Sequence, residues 1–136
     1  MTDNLTKKQR KHTMKQVRSK NTKPEWIVRR TVFRLGFRYR LHRKDLPGKP
    51  DLVFPGRKKI IFVHGCFWHQ HQGCPASNRP ASNTEYWNRK LDRNMERDQK
   101  NIEALENDGW RVLVIWECQI KDGEQLKTII RDFFED

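Results

Sequence analysis

Between two runs that read as buried strands, residues 65–83 pass through Gly, Cys, His, Pro, Ser and Asn with few apolar side chains. A loop of that length is uncommon in a compact domain unless a function or a cross-link orders it. The 136 residues fit one domain, and at 35% hydrophobic against 34% charged the apolar supply is thin. Something besides burial has to fix the loop. Cys66, His71 and Cys74 lie within it, His64 and His69 stand beside them, and Cys118 follows an apolar run at 111–116. Three cysteines cannot close a disulfide framework, whereas thiolates and imidazoles together select zinc in a reducing compartment such as the cytoplasm. The favoured ligand set is Cys66, His71, Cys74 and Cys118, a closed tetrahedral structural site that pins the loop to a strand end. His69 is an alternative to His71, and a site with three protein ligands would be catalytic instead.

The charge is lopsided. The chain carries a formal +12, and residues 1–50 hold 16 Lys/Arg against 3 Asp/Glu while the remainder is close to neutral. Such a block is an electrostatic footprint for a polyanion, with nucleic acid the commonest. No apolar run approaches the roughly 20 residues of a membrane span, and residues 1–20 hold no apolar stretch of a secretory signal. Membrane partners are therefore not expected.

Periodicity supplies the frame. Residues 6–17 are polar, with Met14 and Val17 scattered along them, and suit a surface helix or arm. Thr22 can cap a helix that takes Pro24 in its first turn and ends near Gly36. A short strand is expected at 37–41. Runs 51–54 and 60–63 flank Pro55-Gly56-Arg57 and read as a hairpin of buried strands. Ser82-x-x-Glu85 is a capping-box pattern for a helix reaching about residue 108, before Gly109. A strand at 111–116 and a helix at 124–134 close the order α-α-β-β-β-α-β-α, an α/β fold with a mixed sheet flanked by helices.

Two carboxylates break these patterns. On the helix through 85–108, a turn of ~100° per residue puts Asp98 inside the stripe formed by Leu91, Met95, Ile102 and Leu105. A carboxylate on that face needs a partner. His69 on the loop is a candidate, and Arg29, Arg30 or Arg34 are alternatives. Trp87 and Asn94 fall at the edge of the stripe, and Lys90 further round, within reach of a ligand. Asp51 opens a buried strand straight after Pro50, beside the strand that ends Val63-His64. A carboxylate there can hold Mg²⁺ together with a backbone carbonyl. Asp51 is equally an ordinary turn residue on this reading.

The run Phe62-Val63-His64-Gly65-Cys66-Phe67-Trp68-His69-x-His71 closely resembles the very short patch repair (Vsr) endonucleases. So do Asn21-Thr22-Lys23-Pro24-Glu25, Leu46-Pro47-Gly48-Lys49-Pro50-Asp51, Glu85-Tyr86-Trp87, Glu96-Arg97-Asp98 and Trp116-Glu117-Cys118. The resemblance implies a restriction-endonuclease-like fold that nicks one strand of duplex DNA 5′ to the thymine of a T·G mismatch left by deamination of 5-methylcytosine. Carried over, Asp51 and the backbone carbonyl of Val63 would hold Mg²⁺ in a two-ion site, and Glu25 would hold metal-bound water. His69 would handle the proton of the attacking water, oriented by Asp98, with His64 near the scissile phosphate. Phe67, Trp68 and Trp87 would form an aromatic wedge, with Lys90 and Asn94 as further DNA contacts. Met14 and Val17 would ride on a basic segment, residues 1–20, that grips DNA ahead of a single endonuclease domain at 21–136. The resemblance further implies a monomer in the bacterial cytoplasm, at the nucleoid, with other mismatch-repair proteins as candidate partners. A zinc-stapled DNA-binding module without catalysis is the competing reading, and it leaves Asp51 and Asp98 without a job.

Overall fold

The computed structural model describes residues 22–135. Residues 6–17, with Met14 and Val17, and all of the proposed 1–20 arm lie outside the described residues.

Helix α1, Lys23–Arg34, begins as its sequence dictates. The Thr22 hydroxyl accepts from the Glu25 N–H, Pro24 occupies the first turn, and Gly36 beyond the end takes φ +97°. Strand β1 is only Arg40–Leu41, shorter than the expected 37–41. Phe37 is drawn instead onto Phe134, with ring centroids 3.9 Å apart. Strands β2, Leu52–Phe54, and β3, Lys59–His64, form the expected hairpin about the turn at Pro55–Arg57. Helix α2 is Thr84–Asn107, β4 is Arg111–Trp116 and α3 is Gly123–Glu135.

The capping box at Ser82 does not form. The N-cap is Asn83, in the left-handed region at φ 53° and with no side-chain cap bond. A cap at Ser82 would require residue 83 to be right-handed helix already.

The sheet has the order β1-β2-β3-β4, antiparallel except for the parallel pair β3–β4, which α2 connects. Alternation along the strands sorts the core into two layers. Leu52, Phe54, Ile61 and Ile115 face α1 and α3, meeting Val28, Val32, Leu126, Ile130 and Phe134. Val53, Ile60 and Phe62 face the other way, toward Leu105 and Trp110. The architecture is α/β, a mixed four-stranded sheet between helical layers. No helix among the described residues is long and apolar enough to cross a membrane.

The parallel pair determines what comes together. β3 and β4 end side by side, with His64 in register with Trp116. The loop after β3 and the turn after β4 therefore leave the sheet at the same corner. Each carries part of the Cys/His set.

Candidate active site and metal cluster

At that corner the Sγ atoms of Cys66, Cys74 and Cys118 and a ring nitrogen of His71 all lie within 4.8 Å of one another. His71 Nδ1 is 3.7 Å from Cys66 Sγ and 3.4 Å from Cys118 Sγ, and its ring stacks on Trp116 at 4.2 Å. Burial pushes the Cys66 thiol up to about 11, while a hydrogen bond from the Ala76 backbone holds Cys74 below the usual thiol range. Three sulfurs and one imidazole nitrogen converging on one point fit a tetrahedral soft-ligand metal, which would draw off the thiol protons. His69 is not a member. The choice left open between the two histidines falls to His71.

His69 turns the other way. Its Nδ1 lies 2.6 Å from Asp98 Oδ2, and its ring stacks on His64 at 3.8 Å and 7°. The carboxylate on the inner face of α2 thus finds the expected imidazole rather than an α1 arginine. Leu91 and Leu105 of that stripe are buried, but Met95 is 44% exposed, contrary to the helical count. The Arg79 guanidinium lies over its sulfur, so Met95 packs at the helix margin instead of against the sheet. His64 is buried against His69 and edge-on to Trp116. Burial, reinforced by His69, lowers its pKa to about 4 and keeps the ring neutral.

The opposite wall of the same cavity, about 670 Å³ in volume, is built around Asp51. This carboxylate is buried and accepts the Val63 N–H at 2.7 Å. Burial, with the neighbouring Glu25 charge adding to it, raises Asp51 to about 7. Glu25 is itself fully buried; its Oε1 accepts Arg29 Nη2 at 2.7 Å and also meets His42 Nε2. Ligand atoms of Glu25, His42 and Asp51 lie within 4.8 Å of one another. Two carboxylates and an imidazole converging in a buried site suit a hard cation there.

Sequence reasoning missed His42. It follows a two-residue strand in no periodic pattern, and its backbone is left-handed at φ 47°. Its only cue is spatial, the buried Glu25 it faces. Also missed were Lys44, Lys49 and Arg97, cations of the cavity wall whose side chains make no ion pair or hydrogen bond among the described residues. Lys49 projects from a turn in which Gly48, at φ +79°, sits where a Cβ would come within 3.1 Å of Asn101. Only glycine lets that turn lie so close against α2.

On the loop after β3 and the first turn of α2, Phe67, Trp68, Trp87 and Tyr86 form an aromatic group. Phe67 and Trp68 rings are 5.1 Å apart, Phe67 and Trp87 5.5 Å, and Tyr86 and Trp87 5.3 Å. Trp68 and Tyr86 are exposed, and Lys90 Nζ lies over both rings. Asn94 Nδ2 donates to the Trp68 carbonyl at 3.1 Å. Among the described residues, those predicted from sequence gather in the Cys/His cluster, the His64–His69–Asp98 group, the group of Glu25 and Asp51 with Val63, and the aromatic group with Lys90 and Asn94.

Comparisons with known proteins place this arrangement. Residues 2–75 match the sequence model of the family described as DNA mismatch endonuclease Vsr. The chain is 49% identical over 135 residues to the type II nicking enzyme V.XorIIP of Xanthomonas oryzae, covering 99% of this chain and 98% of that one. It is 43% identical over 136 residues to the type II nicking enzyme V.NmeAIP of Neisseria meningitidis, covering 97% and 96%. It is 37% identical over 126 residues to the DNA mismatch endonuclease Vsr of Escherichia coli, covering 93% and 80%. A chain that matches this family model over more than half its length, and its mismatch-endonuclease relative over 93% of it, belongs to the Vsr family of DNA mismatch endonucleases.

Proposed function

We propose that this endonuclease nicks one strand of duplex DNA 5′ to the thymine of a T·G mismatch arising from 5-methylcytosine deamination, by magnesium-dependent phosphodiester hydrolysis that starts very short patch repair. The observation that carries the reading is the His69–Asp98 pair, 2.6 Å apart, on the wall of the cavity that also holds Asp51. With Nδ1 engaged by Asp98, Nε2 of His69 is the nitrogen left to take a proton from water. Asp98 fixes the tautomer and stabilises the imidazolium that forms. Neutral His64, stacked behind His69, donates a hydrogen bond toward the scissile phosphate.

Asp51 and the carbonyl of Val63 would hold the cation. In an extended strand a residue's N–H and C=O point to the same side, so a Val63 N–H that reaches Asp51 puts its carbonyl on that edge as well. Glu25, braced by Arg29 and His42, would hold water beside that cation. Magnesium, as two ions, would supply Lewis-acid stabilisation of the attacking and leaving oxygens of an in-line displacement. Zinc at Cys66, His71, Cys74 and Cys118 has a structural role.

Phe67, Trp68 and Trp87 act as a wedge in the base stack, with Lys90 and Asn94 beside it. A T·G pair stacks and pairs less well than a matched one, so opening it costs less, and that difference is the selectivity. Residues 1–20 grip the DNA, and 21–136 form one restriction-endonuclease-like domain.

A nicking assay on a T·G duplex with and without Mg²⁺ tests the reading. Asp51→Ala is expected to abolish cleavage while binding stays near the parent level. Parental nicking by Asp51→Ala would overturn the metal assignment, and equal cutting of all mismatches would overturn the T·G assignment.

A further inference from the structure

Between the Cys/His cluster and α2 runs a polar network that none of these roles uses. The Arg79 guanidinium donates from all three nitrogens: Nε to Gln70 Oε1 at 2.9 Å, Nη1 to Asn88 Oδ1 at 2.9 Å and Nη2 to Asp92 Oδ1 at 2.7 Å. Gln70, left-handed at φ 53°, gives its amide NH₂ to the carbonyls of Phe67 at 2.7 Å and Ser77 at 3.1 Å. The bonds thus run from α2 through Arg79 and Gln70 to the backbone of the first wedge aromatic. Asn94, also on α2, braces the Trp68 carbonyl next to it.

The Arg79–Asp92 pair is 66% exposed at its carboxylate, and such a pair contributes little to stability by itself. Direction is what the geometry supplies. A planar guanidinium with acceptors on a loop and on successive turns of a helix tolerates one orientation. Phe67 and Trp68 are thereby held in register with Trp87 on α2, at ring distances of 5.5 and 5.9 Å. A wedge loop free to swing away would let a matched duplex bind with its stack closed. The difference in opening cost that selects the mismatch would then vanish. A loop held in place also has less freedom to lose on binding.

We infer that Arg79 and Gln70 are positioning residues for mismatch selectivity, locking the Phe67–Trp68 backbone to α2 before DNA arrives. This rests on the wedge reading above, and the test separates the two. Binding of matched and T·G duplexes is measured without Mg²⁺ for the parent, Arg79→Ala, Gln70→Glu and Trp68→Ala, with zinc content and kcat on saturating T·G duplex as companions. Gln70→Glu keeps an acceptor for Arg79 but loses the donors to Phe67 and Ser77, so it cuts the lock between Gln70 and the loop backbone. Both lock variants are expected to lower the matched-to-mismatched Kd ratio about fivefold, part of what one stacked base contributes. Zinc is expected to stay at the parent level and kcat within about twofold. If Arg79→Ala does not fold, Gln70→Glu decides. A parental ratio in the lock variants, with the ratio lost in Trp68→Ala, overturns the lock alone. A parental ratio in Trp68→Ala overturns the wedge and the lock with it.

Discussion

His69 and His71 stand two residues apart on one loop, and their surroundings share almost nothing. His71 points Nδ1 at two thiols and lays its ring on Trp116. His69 points Nδ1 at a carboxylate and lays its ring on His64. Gln70 between them is left-handed, and the reversal it makes sends the two rings to different sides. On the proposed roles, what separates the metal ligand from the proton acceptor is the partner of Nδ1: sulfur marks one, an oriented carboxylate the other. Trp116 touches both sets, flat against His71 and edge-on to His64, so one indole links the metal corner to the cavity-lining His64.

If that division holds, breaking the two sides has different consequences. The largest effect is expected from Cys118→Ser. A structural zinc contributes of the order of 10 kcal/mol to folding, so losing one of four ligands should leave a chain that aggregates or melts far below the parent. Zinc stoichiometry and a thermal melt check this. A folded Cys118→Ser with altered chemistry would instead point to catalytic zinc. His69→Ala should leave the fold and the zinc intact while raising the barrier by about 3–5 kcal/mol, the usual range for a general base. Its buried-face partner Asp98 is stranded by the change, so the loss belongs at the upper end. Single-turnover nicking rates decide, and a rate within tenfold of the parent (about 1.4 kcal/mol) would return His69 to a packing role.

The sequence made one side of this comparison far easier to read than the other. Thiols and histidines within a polar loop announce a metal cluster by composition, and Asp98 announces itself by standing on an apolar helical stripe. All five strands and helices expected at 51–134 fall within about one residue of expectation because β-branched runs and helix stops act locally. His42 was silent because its meaning depends on Glu25, seventeen residues earlier in the chain, being buried opposite it. The Ser82 capping box failed for a related reason. Arg79 and the loop ahead of α2 set the entry angle, and a four-residue pattern carries no information about that. Local patterns show elements; they do not show which elements will share a wall.

The cavity's two walls also answer to pH in opposite directions. Asp51 has a folded pKa raised to about 7 by burial, so the stability it contributes is complete at low pH and is lost as pH rises toward 7. His64 has a folded pKa lowered to about 4 by burial, so its contribution is complete above about 6.5 and is lost as pH falls toward 4. These are on the order of 4 and 3 kcal/mol, and they nearly cancel between pH 4 and 7. Magnesium-free, zinc-loaded Asp51→Asn should therefore lose stability on acidification over that range, and His64→Gln should gain it. Denaturant midpoints at several pH values measure both slopes. Equal slopes in the two variants would mean that the walls are not polarised in this way.

The smallest effect sharpens the contrast between gripping DNA and reading it. Lys49 faces the cavity with no ion pair among the described residues, held there by a turn that Gly48 packs against α2. A phosphate contact at this position releases about one counterion on binding. Lys49→Asn removes the charge while keeping a side chain that tolerates the left-handed backbone at φ 49°. The plot of log K against log salt should become shallower by about 0.9, by the same amount on matched and T·G duplexes. An unchanged slope would mean that Lys49 meets no phosphate. A slope change confined to the T·G duplex would mean that the cation engages only once the stack is opened, joining the cavity wall to the wedge rather than to the basic half of the chain.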